Sequence, residues 1–308
     1  MNDSNSETII FDPQATTFKA ANALLLAKLC NAAYLEDAPA REVATQVGLT
    51  NFKWIALNEE FSDLYAIAAS CDKFAVLAFR GTKNFKDWMT DLQATPTPFS
   101  WLFEGGPEVG QVHGGFGNVL RDAWEKIAAA VETVAPRPAK TAEVAQLAGS
   151  QRTLWITGHS LGGALAVLAG AAFSMWANAS IRSVNGIYTF GQPRIGLHPF
   201  CGNYDHLLEP KTFRFVNNQD LVPRVPFRGW DYADIGQMIH FTSDGTPQLQ
   251  SVQWSNFLSR TLDSFKEVLG MAQNFRLDVG DHSMSGYQKL VETQQTNLTK
   301  LFPKQTGS

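Results

Sequence analysis

The chain has 308 residues and a net charge of −4, with 44% hydrophobic and 18% charged residues. The charged share is below the roughly 25% of an average soluble protein, which excludes a disordered chain and a charge-rich coiled coil. Because of the acidic balance, we do not expect a surface built to bind the phosphates of nucleic acids.

Apolar periodicity predicts strands that alternate with helices. In chain order it predicts a helix at 18–34, strands at 52–57, 64–69 and 74–79, a helix at 116–134, a strand at 154–157, a helix at 161–177, strands at 187–190 and 212–216, and a helix at 257–275. The helix at 161–177 is near the short limit for crossing a bilayer and follows a turn, so we predict a buried helix and no transmembrane segment. This alternation predicts one α/β domain over 1–308, with a mainly parallel sheet flanked by helices.

The cysteines and the N-terminal residues indicate the cellular compartment in which the protein is expected. Cys30, Cys71 and Cys201 are far apart and form no C-x-x-C pair, which excludes a disulfide-dense scaffold and a zinc ribbon. Residues 1–18 hold three acidic residues and no Lys or Arg, whereas a secretory signal needs a basic start. We therefore expect free or buried thiols and a protein that is cytoplasmic or exported by a non-classical route.

The most informative segment is G-H-S-L-G-G at 158–163, which fits G-x-S-x-G between a predicted strand and a predicted helix. A nucleophilic serine must be held on a sharp turn, and glycines on both sides of Ser160 remove side chains that would clash. The N–H of Leu161, at the helix start, would point to where an oxyanion forms. The alternative is an ordinary serine in a glycine-rich turn, but the flanking elements favour the catalytic interpretation.

A nucleophilic serine needs a base and an acid that orients the base, in the chain order Ser, Asp or Glu, His. Asp220 is the preferred acid, because it follows a predicted strand on a short polar loop. Asp231 and Asp234 are rivals that we expect to lie in loops or at the surface.

Of the six histidines, His240 and His282 follow Asp220 in the chain. His282 lies in a loop after a predicted helix, from which it can fold back onto the sheet edge. His240 lies in an apolar strand, which is typical of a packing residue. The sequence therefore favours His282 as the base.

Six motifs resemble, in order, those of the class 3 lipases, an α/β-hydrolase family that includes the fungal lipases of Rhizomucor and Thermomyces type. They are F-R-G-T at 79–82, V-H-G-G-F at 112–116, the segment at 158–163, T-F-G-Q-P-R-I-G at 189–196, N-Q-D-L-V-P at 218–223, and D-H at 281–282 with Tyr287. The resemblance covers most of the chain, from about residue 20 to 287. Unlike the secreted fungal members, this chain shows no signal peptide and has too few cysteines for their multiple disulfides.

The resemblance implies Ser160 as nucleophile, Asp220 as orienting acid and His282 as base. It also implies that Thr82 and Leu161 supply the oxyanion-hole donors, with no cofactor and no metal. His113 and Arg194 are expected to hold loops.

By this resemblance we predict a carboxylic ester hydrolase, in the first place a triacylglycerol lipase that acts on lipid esters at a lipid–water interface. A phospholipase A1 or a feruloyl-type esterase on the same site is the closest alternative. A catalytically silent lipid-binding protein is an alternative of a different class, which an intact Ser160, Asp220 and His282 disfavour.

Residues 93–111 are predicted to hold a lid. Prolines and glycines there argue against a regular buried helix, yet the segment carries an apolar run that needs burial. That run comprises Phe99, Trp101, Leu102 and Phe103. Either it covers an acyl-binding cleft as a mobile lid, or it packs as a satellite core under the loop. The resemblance favours the lid, since the family's lid lies between the oxyanion loop and the H-x-G-F segment.

Overall fold

The computed structural model describes residues 10–57, 64–82, 95–101, 107–136, 152–175, 184–226, 228–250 and 281–303. In these ranges the helices are α1 (Ala20–Ala32), α2 (Asp37–Gln46), α3 (Gly114–Val134), α4 (Leu161–Met175), α5 (His198–Leu208), α6 (Met284–Thr293) and α7 (Gln295–Leu301). The strands are β1 (Asn51–Ala56), β2 (Tyr65–Ser70), β3 (Phe74–Phe79), β4 (Pro96–Pro98), β5 (Gln111–His113), β6 (Thr153–His159), β7 (Val184–Phe190), β8 (Gly196–Leu197), β9 (Thr212–Asn217), β10 (Tyr232–Ala233), β11 (Gln237–Phe241) and β12 (Pro247–Gln250).

The large sheet has the order β1-β2-β3-β6-β7-β9-β11-β12. The five strands from β3 to β11 in this order run parallel, and antiparallel pairs close both edges. The strands β10, β8, β5 and β4 form a second, small antiparallel sheet in the order β10-β8-β5-β4. The predicted α/β class with a mainly parallel central sheet is therefore confirmed.

The hydrophobic core is divided between the two faces of the sheet, because successive side chains of each central strand point to opposite faces. On β6, Leu154 and Ile156 pack in the cluster that also holds α3 and α4, while Trp155 packs in the cluster with α1 and α6. Strands buried on both faces read as continuous apolar runs, which is why β3 and β6 were visible in the sequence.

The structure adds elements that the apolar pattern did not predict. Helices α2 and α5 are short, and their faces are more polar than those of α1 and α4. The edge strand β1 pairs antiparallel with its neighbour β2, a direction that composition does not distinguish from parallel pairing. The helix predicted at 257–275 lies outside the described residues.

The three cysteines are free, with Cys30 and Cys201 buried, as expected. Among the described helices, none combines the length and the apolar character that a bilayer crossing needs.

Candidate active site

Three loops that follow parallel strands meet at one edge of the sheet. Strand β3 leads into Gly81 and Thr82, β6 leads into Ser160, and β9 leads into Asp220. The carboxyl ends of parallel strands are where α/β proteins place their functional groups. The fold therefore assembles residues that lie up to about 140 positions apart in the chain.

Ser160 sits on the turn between β6 and α4 with a φ of 58°, a left-handed conformation that non-glycine residues rarely adopt. Its N–H donates to the carbonyl of Phe190 at 3.0 Å, and its own carbonyl accepts from Gly163 at 2.9 Å. Its Oγ is buried and has no hydrogen-bond partner among the described residues. A strained backbone that holds an unpaired hydroxyl is the geometry expected of a nucleophile elbow.

The glycines around Ser160 are required by contact with the backbone. A Cβ on Gly158 would lie 2.1 Å from the carbonyl oxygen of Gly162, and a Cβ on Gly162 would lie 2.4 Å from that of Phe79. Neither neighbour can rotate away, because both are main-chain atoms. The spacing of the motif thus follows from the close approach of β3, the turn and α4.

Asp220 and His282 are brought together although 62 residues separate them. Nδ1 of His282 lies 2.8 Å from Oδ2 of Asp220, whose carboxylate is buried. A Cβ on Gly191 would lie 2.8 Å from that Oδ2 and 2.9 Å from that Nδ1, so the loop after β7 encloses the pair. Because a carboxylate accepts, Nδ1 donates, and Nε2 is left as the basic nitrogen.

Two further bonds fix the Asp220 carboxylate. Tyr287 in α6 donates its hydroxyl proton to Oδ2 at 2.6 Å, and the N–H of Val222 donates to Oδ1 at 3.0 Å. The Tyr287 oxygen also accepts from the N–H of Asn217 at 2.9 Å. Tyr287 formed part of the family resemblance, but no local pattern showed that it reaches Asp220.

Asp281 joins the loop of the acid to the loop of the base. Its Oδ2 accepts from Nδ2 of Asn218 at 3.0 Å and from the N–H of Gln219 at 3.2 Å. Its carbonyl oxygen accepts from Nδ2 of Asn217 at 2.9 Å. These bonds hold the residue before His282 against the end of β9.

The predicted oxyanion donors, Leu161 and Thr82, belong to the helix start after Ser160 and to the loop after β3. Leu161 is the first residue of α4, so its N–H has no carbonyl partner one turn earlier in the helix. A Cβ on Gly81 would lie 2.9 Å from Cβ of Ser160, which shows how closely the loop that carries Thr82 packs on the elbow.

The sequence did not predict the role of two residues beside this site, Tyr34 and His159. The Tyr34 hydroxyl lies 2.6 Å from Nδ1 of His159 and accepts from the N–H of Gly81 at 3.1 Å. Nε2 of His159 lies 2.7 Å from the carbonyl oxygen of His282. His159 was visible only as the variable position of G-x-S-x-G, and nothing in the sequence linked Tyr34 to it.

The alternative candidates for the base and the acid, His240, Asp231 and Asp234, have other contacts or positions in the structure. His240 is half-buried on β11, where Nε2 lies 3.2 Å from the carbonyl oxygen of Asn218. Asp231 is exposed, and Asp234 lies in the loop between β10 and β11, in line with the loop or surface positions expected of the two residues. Asp234 is buried and ion-paired with the guanidinium groups of Arg194, Arg214 and Arg228.

The electrostatics around Asp234 explain its burial. Burial alone would raise the pKa of its carboxyl, but the three guanidinium groups hold that pKa well below its usual range. Arg194 also donates to the carbonyl oxygen of Pro226 at 2.9 Å, and thus joins the loops after β7 and β9, in line with the loop-holding role expected of it.

The predicted lid is described in part. Phe99 lies in a short 3₁₀ helix (Phe99–Trp101) and is fully buried, with its ring 5.2 Å from that of Phe200. For Phe99 this favours core packing over a role in the cover. Leu102 and Phe103 lie outside the described residues, so the lid stays a prediction.

A profile of the family "Lipase (class 3)" matches residues 76–230, which is half of the chain. Relatives include the triacylglycerol lipase OBL1 of Ricinus communis, 29% identical over 56% of this chain and 40% of its own length. Phospholipase A1-II 1 of Oryza sativa is 29% identical over 57% of this chain and 45% of its own. The lipase of Rhizomucor miehei is 26% identical over 68% and 54%, so the chain spans about half the length of these relatives.

Solved structures agree on the fold. Lipase II from Rhizopus niveus superposes with a TM-score of 0.55 at 22% identity, over 73% of this chain and 81% of that one. A variant of MDLA from Penicillium cyclopium superposes with a TM-score of 0.56 at 22% identity, over 75% of this chain and 82% of that one. At this identity the likeness establishes the fold alone, whereas the family follows from the profile match. The chain belongs to the class 3 lipase family.

Proposed function

We propose that this protein is a serine-dependent carboxylic ester hydrolase that acts on lipid esters, in the first place triacylglycerols. The observation that carries the proposal is the 2.8 Å approach of His282 Nδ1 to Asp220 Oδ2 at the same sheet edge as Ser160. Membership of the class 3 lipase family and the likeness to a plant triacylglycerol lipase support the substrate class.

In the proposed mechanism, Nε2 of His282 takes the proton of Ser160 Oγ while that oxygen attacks the ester carbonyl. The new C–O bond moves the carbonyl electron pair onto oxygen, and the N–H groups of Leu161 and Thr82 stabilise that oxyanion. His282 then gives its proton to the leaving alcohol, which breaks the ester bond and leaves an acyl-serine. A water molecule, deprotonated by His282, releases the fatty acid by the same route.

Asp220 stabilises the imidazolium that forms on His282 and fixes which nitrogen carries the proton. The bonds from Tyr287 and Val222 keep its carboxylate in place without neutralising it. Every step uses residues of this chain and water.

Phospholipase A1 activity is the second candidate. It is supported by the rice phospholipase A1, whose 29% identity equals that of the Ricinus triacylglycerol lipase. Both chemistries cleave a carboxylic ester of glycerol, so the same triad serves either, and the choice depends on the groups that contact the head group.

The experiment is a hydrolysis panel with tributyrin, olive oil, phosphatidylcholine, methyl ferulate and p-nitrophenyl esters, combined with fluorophosphonate labelling. We expect one label per chain on Ser160, none in Ser160→Ala, and the highest kcat/KM on triacylglycerols. Preferential release of fatty acid from phosphatidylcholine would favour the second candidate. A wild-type protein that takes no label would favour the silent lipid-binding protein and overturn the proposal.

A further inference from the structure

We propose that Tyr34 and His159 are positioning residues that couple the oxyanion loop to the backbone of the base. The inference rests on the proposed function and extends it to two side chains that do not contact the ester. Tyr34 follows α1 and lies far from His282 along the polypeptide, and hydrogen bonds through His159 join the two residues. The three segments lie on different elements, so the coupling is a property of the tertiary structure.

The directions of the hydrogen bonds follow from the acceptors. The carbonyl oxygen of His282 can only accept, so Nε2 of His159 donates to it over 2.7 Å. In a neutral imidazole the other nitrogen then accepts, so the Tyr34 hydroxyl donates to Nδ1 over 2.6 Å. With its proton used in this way, the Tyr34 oxygen accepts from the N–H of Gly81 over 3.1 Å. A continuous series of hydrogen bonds, all donating in the same direction, therefore runs from the N–H of Gly81 to the carbonyl oxygen of His282.

The neutral state of His159 is set by its surroundings. Burial lowers the pKa of His159 well below its usual value, and the neighbouring His282 acts in the same direction. The two rings lie 4.6 Å apart. A neutral His159 can orient the base without opposing the positive charge that His282 acquires during ester cleavage.

At its Gly81 end, this series of hydrogen bonds contacts the loop that carries the proposed oxyanion donor Thr82. A Cβ on Gly81 would lie 2.6 Å from the Tyr34 oxygen, 2.7 Å from the carbonyl oxygen of His159 and 2.9 Å from Cβ of Ser160. The Tyr34 hydroxyl thus fixes how closely Gly81 approaches the serine, and with it the position of Thr82. The Arg80 guanidinium, 5.5 Å from the Tyr34 ring centre, packs over the same tyrosine.

The test uses variants that remove one link at a time. Tyr34→Phe removes the hydroxyl and keeps the ring. His159→Gln keeps a donor near Nε2 and loses the acceptor near Nδ1, while His159→Asn keeps a polar atom near Nδ1 and loses the donor. Tyr204→Phe is the matched control, since it deletes a buried hydroxyl that lies 2.8 Å from Oγ1 of Thr212, in the core.

We expect Tyr34→Phe to lower kcat on p-nitrophenyl butyrate and the rate of fluorophosphonate labelling by about tenfold, with KM changed less than about threefold. His159→Asn should lose at least as much, because it releases the base, and His159→Gln should lose less. The double variant Tyr34→Phe/His159→Gln should be no worse than about the larger single loss, since both cut the same link. Tyr204→Phe should lower the melting temperature and leave kcat within about twofold.

Unchanged kcat in Tyr34→Phe, or an equal loss in Tyr204→Phe, would overturn the inference while leaving the proposed function intact. Tyr34→Phe is the mildest change, so it decides the matter if the His159 variants fail to fold. A wild-type protein that neither labels nor hydrolyses esters would overturn the proposed function itself.

Discussion

The hydroxyl of Tyr287 donates to Oδ2 of Asp220, the same oxygen that faces Nδ1 of His282. Burial, and then the Asp220 charge, raise the pKa of Tyr287 well above its usual value, so the tyrosine keeps its proton and remains a donor. One carboxylate oxygen is thus held from α6 and from the loop of the base at once. The shared oxygen makes Tyr287 part of the geometry of the acid.

Tyr287→Phe should therefore lower kcat by about tenfold and destabilise the fold by about 1–3 kcal/mol. The loss of activity arises because Asp220 can rotate, and the loss of stability because the buried N–H of Asn217 is left unpaired. Steady-state kinetics on p-nitrophenyl butyrate and urea unfolding measure the two effects. Full activity in a folded Tyr287→Phe protein would contradict the positioning of Asp220 by this hydroxyl.

His282→Ala should reduce ester hydrolysis by at least about 10³-fold, because the serine loses its base. His240→Ala should cost about 1 kcal/mol of stability, by loss of its contact to Asn218, and leave kcat nearly unchanged. The pH profile of the wild type should fall on the acid side, since a protonated base cannot accept the serine proton. Activity that survives in His282→Ala and disappears in His240→Ala would reverse the assignment.

Gly158→Ala should destabilise the protein by at least about 3 kcal/mol, since its Cβ would meet the main chain of Gly162 at 2.1 Å. Gly202→Ala is the matched control, because Gly202 lies in α5 with no atom within 4 Å of an added Cβ. That change should stabilise the fold by about 0.5–1 kcal/mol. Thermal unfolding of both variants provides the measurement, and equal melting temperatures would show that the elbow tolerates a side chain.

Asp205→Asn should stabilise the protein above pH 6. Burial raises the pKa of Asp205 to about 6 in the folded chain, so the folded state binds more protons than the unfolded state from about pH 4 to 6. The contribution of the Asp205 carboxyl to the free energy of unfolding therefore falls as the pH rises from about 4 to 6, and it stays reduced at higher pH. Asparagine keeps the oxygen that accepts from the N–H of Gly236 at 2.8 Å.

The melting temperatures of the wild type and of Asp205→Asn are measured at pH 5 and pH 8. We expect the substitution to raise the melting temperature more at pH 8 than at pH 5. Asp244→Asn is the control, because hydrogen bonds from Thr242 and Thr246 lower the pKa of Asp244 and a neutral side chain should bring no gain there. A gain that is the same at both pH values would contradict the role of the Asp205 charge.

Trp101→Ser should weaken hydrolysis of emulsified tributyrin more than hydrolysis of dissolved p-nitrophenyl acetate, if the segment around it covers the site. The wild-type rate should then rise sharply once tributyrin exceeds its solubility limit. A smooth saturation curve, together with equal losses on both substrates, would support simple packing instead, as Phe99 already does for its own position.

The sequence by itself determined the parts of this protein that depend on neighbours along the chain. Buried parallel strands read as apolar runs, and the elbow reads as G-x-S-x-G, because both are built from residues a few positions apart. Strand β3 was predicted to the residue, and α3 and β6 to within two residues at each end. The order of the motifs was enough to predict the family, which the profile match confirmed.

Only the tertiary structure decided which distant side chains share a hydrogen bond. Asp234 was expected in a loop or at the surface; it does lie in a loop, but the guanidinium groups of Arg194, Arg214 and Arg228 keep it charged in the core. Tyr34 lies 125 residues from His159, and Tyr287 lies 67 residues from Asp220. A buried polar group needs a partner but places no constraint on where in the chain that partner stands, so such pairs leave no local pattern and appear only when the strands and helices are packed.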